Sequence, residues 1–217
     1  MAPSSPHSDA LTGAATAAHR TADLLNSRAI DTEALAAATA LIEQANTLLA
    51  QGEPKTEEVR GLEFASQMVV PLGAPLIEDG AKFEAFVKSP YSGKHNAMRP
   101  TSVSYQRVGD ELHAEVLVGP ALEGAPGRAH GGLTAAVFDD AMGALQRITG
   151  LSGYTRTLNV TYRGKIPIDE AVSFRVWLTE QDDRTFTTNG EVTLAGKTLA
   201  TASGVFTLIR PEQFIPD

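Results

Sequence analysis

The sequence contains no cysteine among its 217 residues. This absence excludes disulfides, thiolate zinc sites and a cysteine nucleophile together. The five histidines lack the paired spacing of metal ligands, so we expect neither a metal nor a cofactor. The chain also has no run of about 18 or more apolar residues, and no membrane span is expected.

Basic residues are outnumbered by acidic ones, 18 to 26, which gives a net charge of −8 at pH 7. An acidic chain of this kind argues against general nucleic-acid binding, although a local basic cluster could still hold a small anion. The N-terminus lacks the charged-then-apolar order of a secretory signal, and the default expectation is a soluble cytoplasmic protein. With 42% hydrophobic residues, the chain is long enough for one domain plus an appendage.

The N-terminal part of the chain predicts helices. Residues 1 to about 8 are rich in proline and serine and are expected to be disordered. Apolar residues then recur at helical spacing over 11–25 and again over 35–49. Each helix has one apolar face, so the pair should dock on the main domain or on a partner subunit. We predict an N-terminal helical extension over 1–58 and a main domain over 59–217, with the polar stretch 53–60 as the linker between them.

The main domain combines strands, loops and one central helix. A short helix is predicted at 82–87, and a hairpin is predicted from 102 to 118 around Gly109-Asp110. The central helix follows at 131–149. Four long strands are predicted to close the chain, at 154–163, 171–181, 184–195 and 197–209. One apolar helix followed by consecutive antiparallel strands predicts an α+β fold with a sheet wrapped around the helix, and small residues on the last strand would let the helix lie close.

The segment from His130 to Asp139 is the most informative stretch of the chain. A glycine pair opens a strongly apolar helix, and a carboxylate lies in the middle of that helix. Glycines let the backbone N–H groups of a helix N-terminus approach a ligand oxygen closely, and the helix dipole favours negative charge there. An acid inside an apolar helix is costly unless it is paired. The two features indicate an oxyanion site and a general base or nucleophile, the parts that acyl transfer needs.

Helix geometry separates these two parts. Gly131 and Asp139 are eight residues apart, which is roughly 12 Å at the helical rise. One helix cannot bring both to a single carbonyl carbon. Two antiparallel helices from two chains can, because each gives its N-terminus to one site and its aspartate to the other. This arrangement predicts a homodimer, or a dimer of dimers, with composite sites at a two-fold interface.

The string HGGLTAAVFDD, followed by TRTLNVTYRGKIPI and three further strands, resembles the hotdog-fold acyl-CoA thioesterases. The likeness is greatest to the branch that contains the phenylacetate-pathway thioesterase and the mammalian thioesterase-superfamily members. It covers roughly 61–210 and leaves the N-terminal helices outside. The resemblance implies a hotdog fold, sites shared between two subunits, and hydrolysis of an acyl-CoA thioester to a free acid and coenzyme A.

The resemblance also implies roles for individual residues. Asp139 would activate the attacking water or attack directly, the N–H of Gly131 would polarise the thioester carbonyl, and Thr155 would help to position water. His130 is a further catalytic candidate, with shaping of the turn before the helix as its alternative role. Many relatives carry an asparagine where this chain has Gly124, while others share its E-G-x-P-G pattern, so the second oxyanion donor stays unassigned.

Cations are needed for the phosphates of coenzyme A. The resemblance implies that Arg163 and Arg184 contact coenzyme A, since both match contact positions in relatives. The full set of candidate substrate-binding residues is Gly132, Arg128, Arg163 and Arg184, with Lys94 and Arg99 as additional cations in the long loop.

Other interpretations of the same pattern remain open at this point. A hotdog dehydratase or hydratase would need a catalytic histidine paired with an acid, and no convincing pair is evident. A non-catalytic acyl-CoA-binding or regulatory module would use the N-terminal helices as a partner surface, and those helices could also form a lid. Asp139 and Asp140 are adjacent and point in different directions, so at least one of them is expected to be a surface group.

Overall fold

The structure, a computed structural model, describes residues 5–60 and 77–209 of the chain. Its long helices are α1 (Pro6–Ser27), α2 (Thr32–Leu49) and α3 (Gly131–Thr149). Its strands are β1 (Lys82–Phe83), β2 (Ser102–Val108), β3 (Glu111–Leu117), β4 (Gly153–Tyr162), β5 (Ala171–Gln181), β6 (Thr185–Leu194) and β7 (Lys197–Leu208). These strands form one antiparallel sheet in the order β1-β2-β3-β5-β6-β7-β4. The α+β prediction is confirmed.

The first two helices begin at side-chain caps. The Ser5 hydroxyl accepts the N–H of Ser8 at 3.2 Å, and Pro6 occupies the first helical turn, where a missing N–H costs nothing. The prediction of disorder is therefore wrong for residues 6–8. Asp31 caps α2 by accepting the N–H of Ala34 at 2.8 Å. Residues 57–60, predicted as linker, are helical.

Helix α3 packs across the concave face of the sheet and supplies the centre of the core. Phe138 and Met142 are fully buried, and the Phe138 ring meets the Phe174 ring edge-on at 4.9 Å between centroids. On β7, a Cβ atom added to Gly204 would lie 2.8 Å from the Met142 sulfur. The small residue therefore lets the helix sit this close to the sheet, as the sequence predicts.

The hairpin and the four C-terminal strands are confirmed, and each of those strands lies within one residue of its predicted bounds. The prediction of a short helix at 82–87 is wrong. Lys82 and Phe83 pair with β2 instead, with Phe83 opposite Tyr105. The apolar residues at 83, 86 and 87 imitate helical spacing, but pairing with a neighbouring strand outweighs that local pattern.

Helix α1 docks on the main domain, one of the two positions predicted for the helical pair, with Ala15 and His19 buried. His19 is 6% exposed, and its Nδ1 lies 3.0 Å from the carbonyl oxygen of Ala97. Asp23 accepts the N–H of Ala121 at 2.9 Å and pairs with His19 at 3.2 Å. Helix α2 has no buried residue in the single chain. Among the described residues, no helix is both long enough and apolar enough to cross a membrane.

Candidate active site

Asp139 and Thr155 are hydrogen-bonded to each other. The Thr155 hydroxyl donates to Asp139 Oδ1 at 2.7 Å, which joins the middle of α3 to the edge strand β4. Asp139 is half-buried, so its carboxylate remains accessible to a ligand. The two residues that the sequence singles out as base and water-positioning group thus lie side by side.

An apolar pocket of about 520 Å³ opens beside this pair. Helix α3 and strand β4 form two of its walls, and the segment 86–91 forms a third. Its largest apolar lining residues are Phe86, Pro90, Tyr91, Tyr154 and Phe206. An apolar cleft with a carboxylate and a hydroxyl in its lining can hold a hydrocarbon group next to a reacting polar atom.

The adjacent carboxylate, Asp140, faces the other way. It accepts a hydrogen bond from the Ser89 hydroxyl and another from the Tyr105 hydroxyl, the latter at 2.6 Å. Burial raises the pKa of Asp140 above its usual value, while the hydroxyls of Ser89, Ser92 and Tyr105 act in the opposite direction. Burial and the adjacent Asp140 raise the pKa of Tyr105 well above its usual range. Sequence reasoning missed both Ser89 and Tyr105.

The N-terminus of α3 is capped by His130. Its Nδ1 accepts the N–H of Gly132 at 3.0 Å, so that N–H is already engaged. Within residues 5–60 and 77–209, no protein acceptor bonds the N–H of Gly131. The Tyr162 hydroxyl donates to the Gly131 carbonyl at 2.6 Å and fixes this peptide. Tyr162 was also missed, although it lies directly before the predicted Arg163.

Gly124 has a structural reason to be glycine. A Cβ atom at this position would lie 2.9 Å from the His130 Cα, closer than real Cβ contacts come. The loop is closed there by the Gly124 N–H bonding the Arg128 carbonyl at 2.9 Å and the His130 N–H bonding the Leu122 carbonyl at 3.0 Å. An asparagine side chain would displace the residue that caps α3, so this chain has no amide donor at that point.

The candidate cations lie at two ends of the molecule. Arg163 directly follows Tyr162, and Arg128 bridges Pro167, so both lie at the Gly131 end of α3. Arg184 lies in the β5–β6 turn, where its carbonyl accepts the N–H of Leu208, near the Thr155 end of β4. All three arginines are exposed. A single chain therefore does not bring them together.

Three further basic side chains, which do not belong to this set of three arginines, have defined contacts. The Lys165 ammonium lies against Gly127, where a Cβ atom would be 2.7 Å away, and adds a cation to the Gly131 end that sequence reasoning missed. Lys94 pairs with Glu84 at 2.9 Å. Arg99 donates to the Thr101 carbonyl at 3.2 Å. In the part of the chain that the structure describes, no three His, Asp or Glu side chains are grouped as metal ligands.

Comparison with known proteins identifies the family that this geometry resembles. Residues 126–201 match the family model described as the thioesterase superfamily. Acyl-coenzyme A thioesterase THEM5 of Homo sapiens is 36% identical over 66 residues, which is 30% of this chain and 27% of that protein. THEM5 of Mus musculus is 33% identical over the same share of each chain. The chain therefore spans only about a quarter of the length of these curated relatives.

A crystal structure of a thioesterase superfamily protein has the same fold, with a TM-score of 0.69 and 24% sequence identity. The match covers 90% of this chain and 94% of that chain. The matched part of the chain is longer than residues 59–217, so the structural similarity extends into the N-terminal extension. The resemblance to the thioesterase superfamily and the hotdog fold are both confirmed.

Proposed function

We propose that this protein hydrolyses an acyl-CoA thioester to a free acid and coenzyme A. The observation that carries the proposal is the Asp139–Thr155 hydrogen bond in the lining of the apolar pocket. A carboxylate with one oxygen held by a hydroxyl keeps its second oxygen for a water molecule or a carbonyl carbon. The thioesterase names of the superfamily and of THEM5 agree with this chemistry.

The proposed reaction uses both ends of α3. The thioester carbonyl oxygen accepts the N–H of Gly131, where the helix dipole stabilises the oxyanion. Asp139 from the other subunit removes a proton from water, or attacks the carbonyl carbon itself. Direct attack breaks the C–S bond, releases the thiolate and leaves a mixed anhydride on Asp139, which water then hydrolyses to the free acid. When water attacks, its oxygen bonds the carbonyl carbon, its proton goes to Asp139, and the C–S bond breaks. The coenzyme A thiolate leaves and is then protonated. We propose that Tyr162 holds the Gly131 peptide in place for this step.

His130 and Gly132 contribute differently in this proposal. The engaged Nδ1 of His130 makes it a helix cap, and its effect on catalysis would come from fixing the turn that presents Gly131. Gly132 would contribute by lacking a side chain beside the bound thioester.

Two chains are needed for a complete site. Strand β4 is an edge of the sheet, ten residues long, with one side unpaired among the described strands. Open edges of this kind pair readily with another strand. Pairing of β4 with its copy about a two-fold axis would set two α3 helices antiparallel and bring Gly131 of one chain to Asp139 of the other. We propose a homodimer built in this way.

The same two-fold pairing would unite the cations. Arg128, Arg163 and Lys165 at the Gly131 end of one chain would meet the Arg184 end of the partner, because β4 runs between the two ends. The phosphates of coenzyme A would lie among these side chains. Positive groups from both chains would thus bind the nucleotide part of the substrate, while the apolar pocket holds the acyl group.

Asp139→Asn tests the proposal, since asparagine keeps the shape but cannot act as a base. We expect kcat/KM for acyl-CoA hydrolysis, followed with a free-thiol reagent, to fall by at least about 100-fold. Asp110→Asn, at a fully exposed position in the β2–β3 turn, is the matched control and should retain activity. Equal rates for Asp139→Asn and wild type, with both folded, would contradict the assignment. Binding of acyl-CoA without turnover by wild type would favour a regulatory module instead.

A further inference from the structure

The loop segment 85–92 contains the residues of 86–91 that form one wall of the pocket, and it is attached to α3 at three points. Arg147 Nη1 donates to the Ala85 carbonyl at 3.3 Å. The Phe86 ring lies on α3 at Gly143, where an added Cβ atom would be 3.4 Å from the ring. The Ser89 hydroxyl donates to Asp140. The segment has no regular secondary structure, and besides these contacts it is held by backbone turns, with the His95 N–H bonding the Val87 carbonyl at 2.9 Å.

Ser89 joins the turn to the helix. Its oxygen accepts the N–H of Tyr91 at 3.0 Å and that of Ser92 at 3.3 Å, while its proton goes to Asp140. Asp140 also accepts the hydroxyl of Tyr105, a residue of β2 that is only 3% exposed. The cluster therefore connects the loop, α3 and β2 through one half-buried carboxylate. Removing that carboxylate would leave the hydroxyl of the buried Tyr105 and that of the half-buried Ser89 without their acceptor, which is costly.

These groups are placed to hold the wall and not to react. The Ser89 oxygen already makes three hydrogen bonds, and none of them is to a histidine that could activate it as a nucleophile. Consecutive residues on a helix differ in direction by about 100°. Asp139 accordingly meets Thr155 on β4, while Asp140 meets the loop and β2. Asp140 thus has no hydrogen bond to the Asp139–Thr155 pair that would carry out the hydrolysis.

We propose that Asp140 and Ser89 are positioning residues that set acyl-chain specificity by fixing segment 85–92 as the end wall of the pocket. This inference rests on the proposed thioesterase function. The wall that they hold presents Phe86, Pro90 and Tyr91 to the pocket. A fixed wall limits the length of acyl group that can lie beside Asp139, and a loosened wall admits longer ones. The residues that select the substrate are thereby different from the residue, Asp139, that would cleave it.

The experiment measures kcat/KM for a series of straight-chain acyl-CoA thioesters with wild type, Ser89→Ala and Asp140→Ala. We expect both variants to raise the ratio of long-chain to short-chain kcat/KM by about tenfold, the scale of discrimination that pocket shape provides. Asp140→Asn keeps one acceptor oxygen for the Ser89 hydroxyl, and its amide N–H can donate to the Tyr105 oxygen, so it should retain the wild-type chain-length profile. Ser104→Ala removes a hydroxyl one residue from Tyr105 on the opposite face of β2 and is the matched control.

Amide hydrogen exchange of residues 86–92 supplies a readout that does not depend on turnover. Exchange should become faster in Ser89→Ala and Asp140→Ala and stay unchanged in Ser104→Ala. If the ratio of long-chain to short-chain kcat/KM stays within about twofold of wild type in folded, active variants, the inference is overturned and the thioesterase proposal stands. A wild-type protein that hydrolyses none of the thioesters overturns the proposed function and the inference with it. If Asp140→Ala does not fold, Ser89→Ala decides the question.

Discussion

Asp139 and Asp140 have the same side chain and adjacent positions, yet their surroundings give them different properties. Asp139 is half-buried and shares a hydrogen bond with one exposed threonine. Asp140 lies against Ser89 and Tyr105, and burial raises its pKa. The difference comes from the direction in which each leaves the helix and not from the local sequence.

The raised pKa of Asp140 predicts a pH-dependent contribution to stability. An aspartate in the unfolded chain titrates near 3.8, and the folded value lies higher because of burial. The folded state therefore binds this proton more tightly, and its contribution to the free energy of unfolding falls as pH rises between the two values. The neighbouring Asp139 adds to the shift, while the hydroxyls of Ser89, Ser92 and Tyr105 reduce it.

Urea unfolding of wild type and Asp140→Asn between about pH 4 and pH 7 measures this contribution. The free energy of unfolding of wild type minus that of the variant should fall as pH increases. A difference that rises with pH would show that Asp140 is stabilised as a carboxylate and would contradict the assigned direction.

At this scale the sequence predicts only part of the site. The apolar helix singles out Asp139, the family resemblance singles out Thr155, and the structure brings them together. Ser89 and Tyr105 lie 51 and 35 residues from Asp140 along the chain. No periodicity or short motif connects residues so far apart, because their contact depends on how the loop folds over α3. Tyr162 could have been identified from the sequence, since it lies within the LNVTYR string.

Among the elements, the long ones follow from the sequence and the short ones do not. The apolar period of α3 and the alternation in β5 extend over many residues, so each pattern has a single consistent interpretation. Strand β1 has two residues, and its pairing with β2 cannot be read from so short a stretch. The polar docking of α1 is equally hidden, because it depends on His19 meeting a carbonyl 78 residues away.

Substitution of His19 tests how firmly α1 is attached. His19→Leu removes the hydrogen bond to the Ala97 carbonyl and leaves Asp23 without its ring partner. We expect the free energy of unfolding to fall by about 1 to 3 kcal/mol, the usual cost of unsatisfied buried polar groups. His7→Leu, on an exposed position of the same helix, should change it little. Equal stability of the two variants in chemical denaturation would indicate that α1 is held by its apolar face alone.

At the scale of the whole molecule, the proposed dimer requires that one chain supplies Gly131 to each site and the other chain supplies Asp139. Gly131→Pro removes the oxyanion N–H, and proline is well suited to the first helical position. The extended backbone of His130, with ψ of 136°, suits a following proline, and the Gly131 Cβ position has ordinary contacts with Tyr162. This variant and Asp139→Asn should each be inactive as homodimers.

Mixing the two inactive variants should restore activity. In a heterodimer of Gly131→Pro and Asp139→Asn chains, one site receives both intact groups and the other receives neither. Random exchange of subunits should therefore give about a quarter of the wild-type rate. If each site were built from one chain, the mixture would stay inactive after subunit exchange has been verified with tagged chains.

The long loop between β1 and β2 is held on one side by α1, through His95 with Ser8 and Ala97 with His19, and on the other side by Asp140 of α3. Helix α1, which lies outside the residues that match the superfamily model, therefore contacts the same loop that forms a wall of the pocket. Chimaeras that exchange residues 5–27 between related proteins should carry the loop from the same parent. The N-terminal extension and the substrate range would then be inherited as one trait rather than as separable modules.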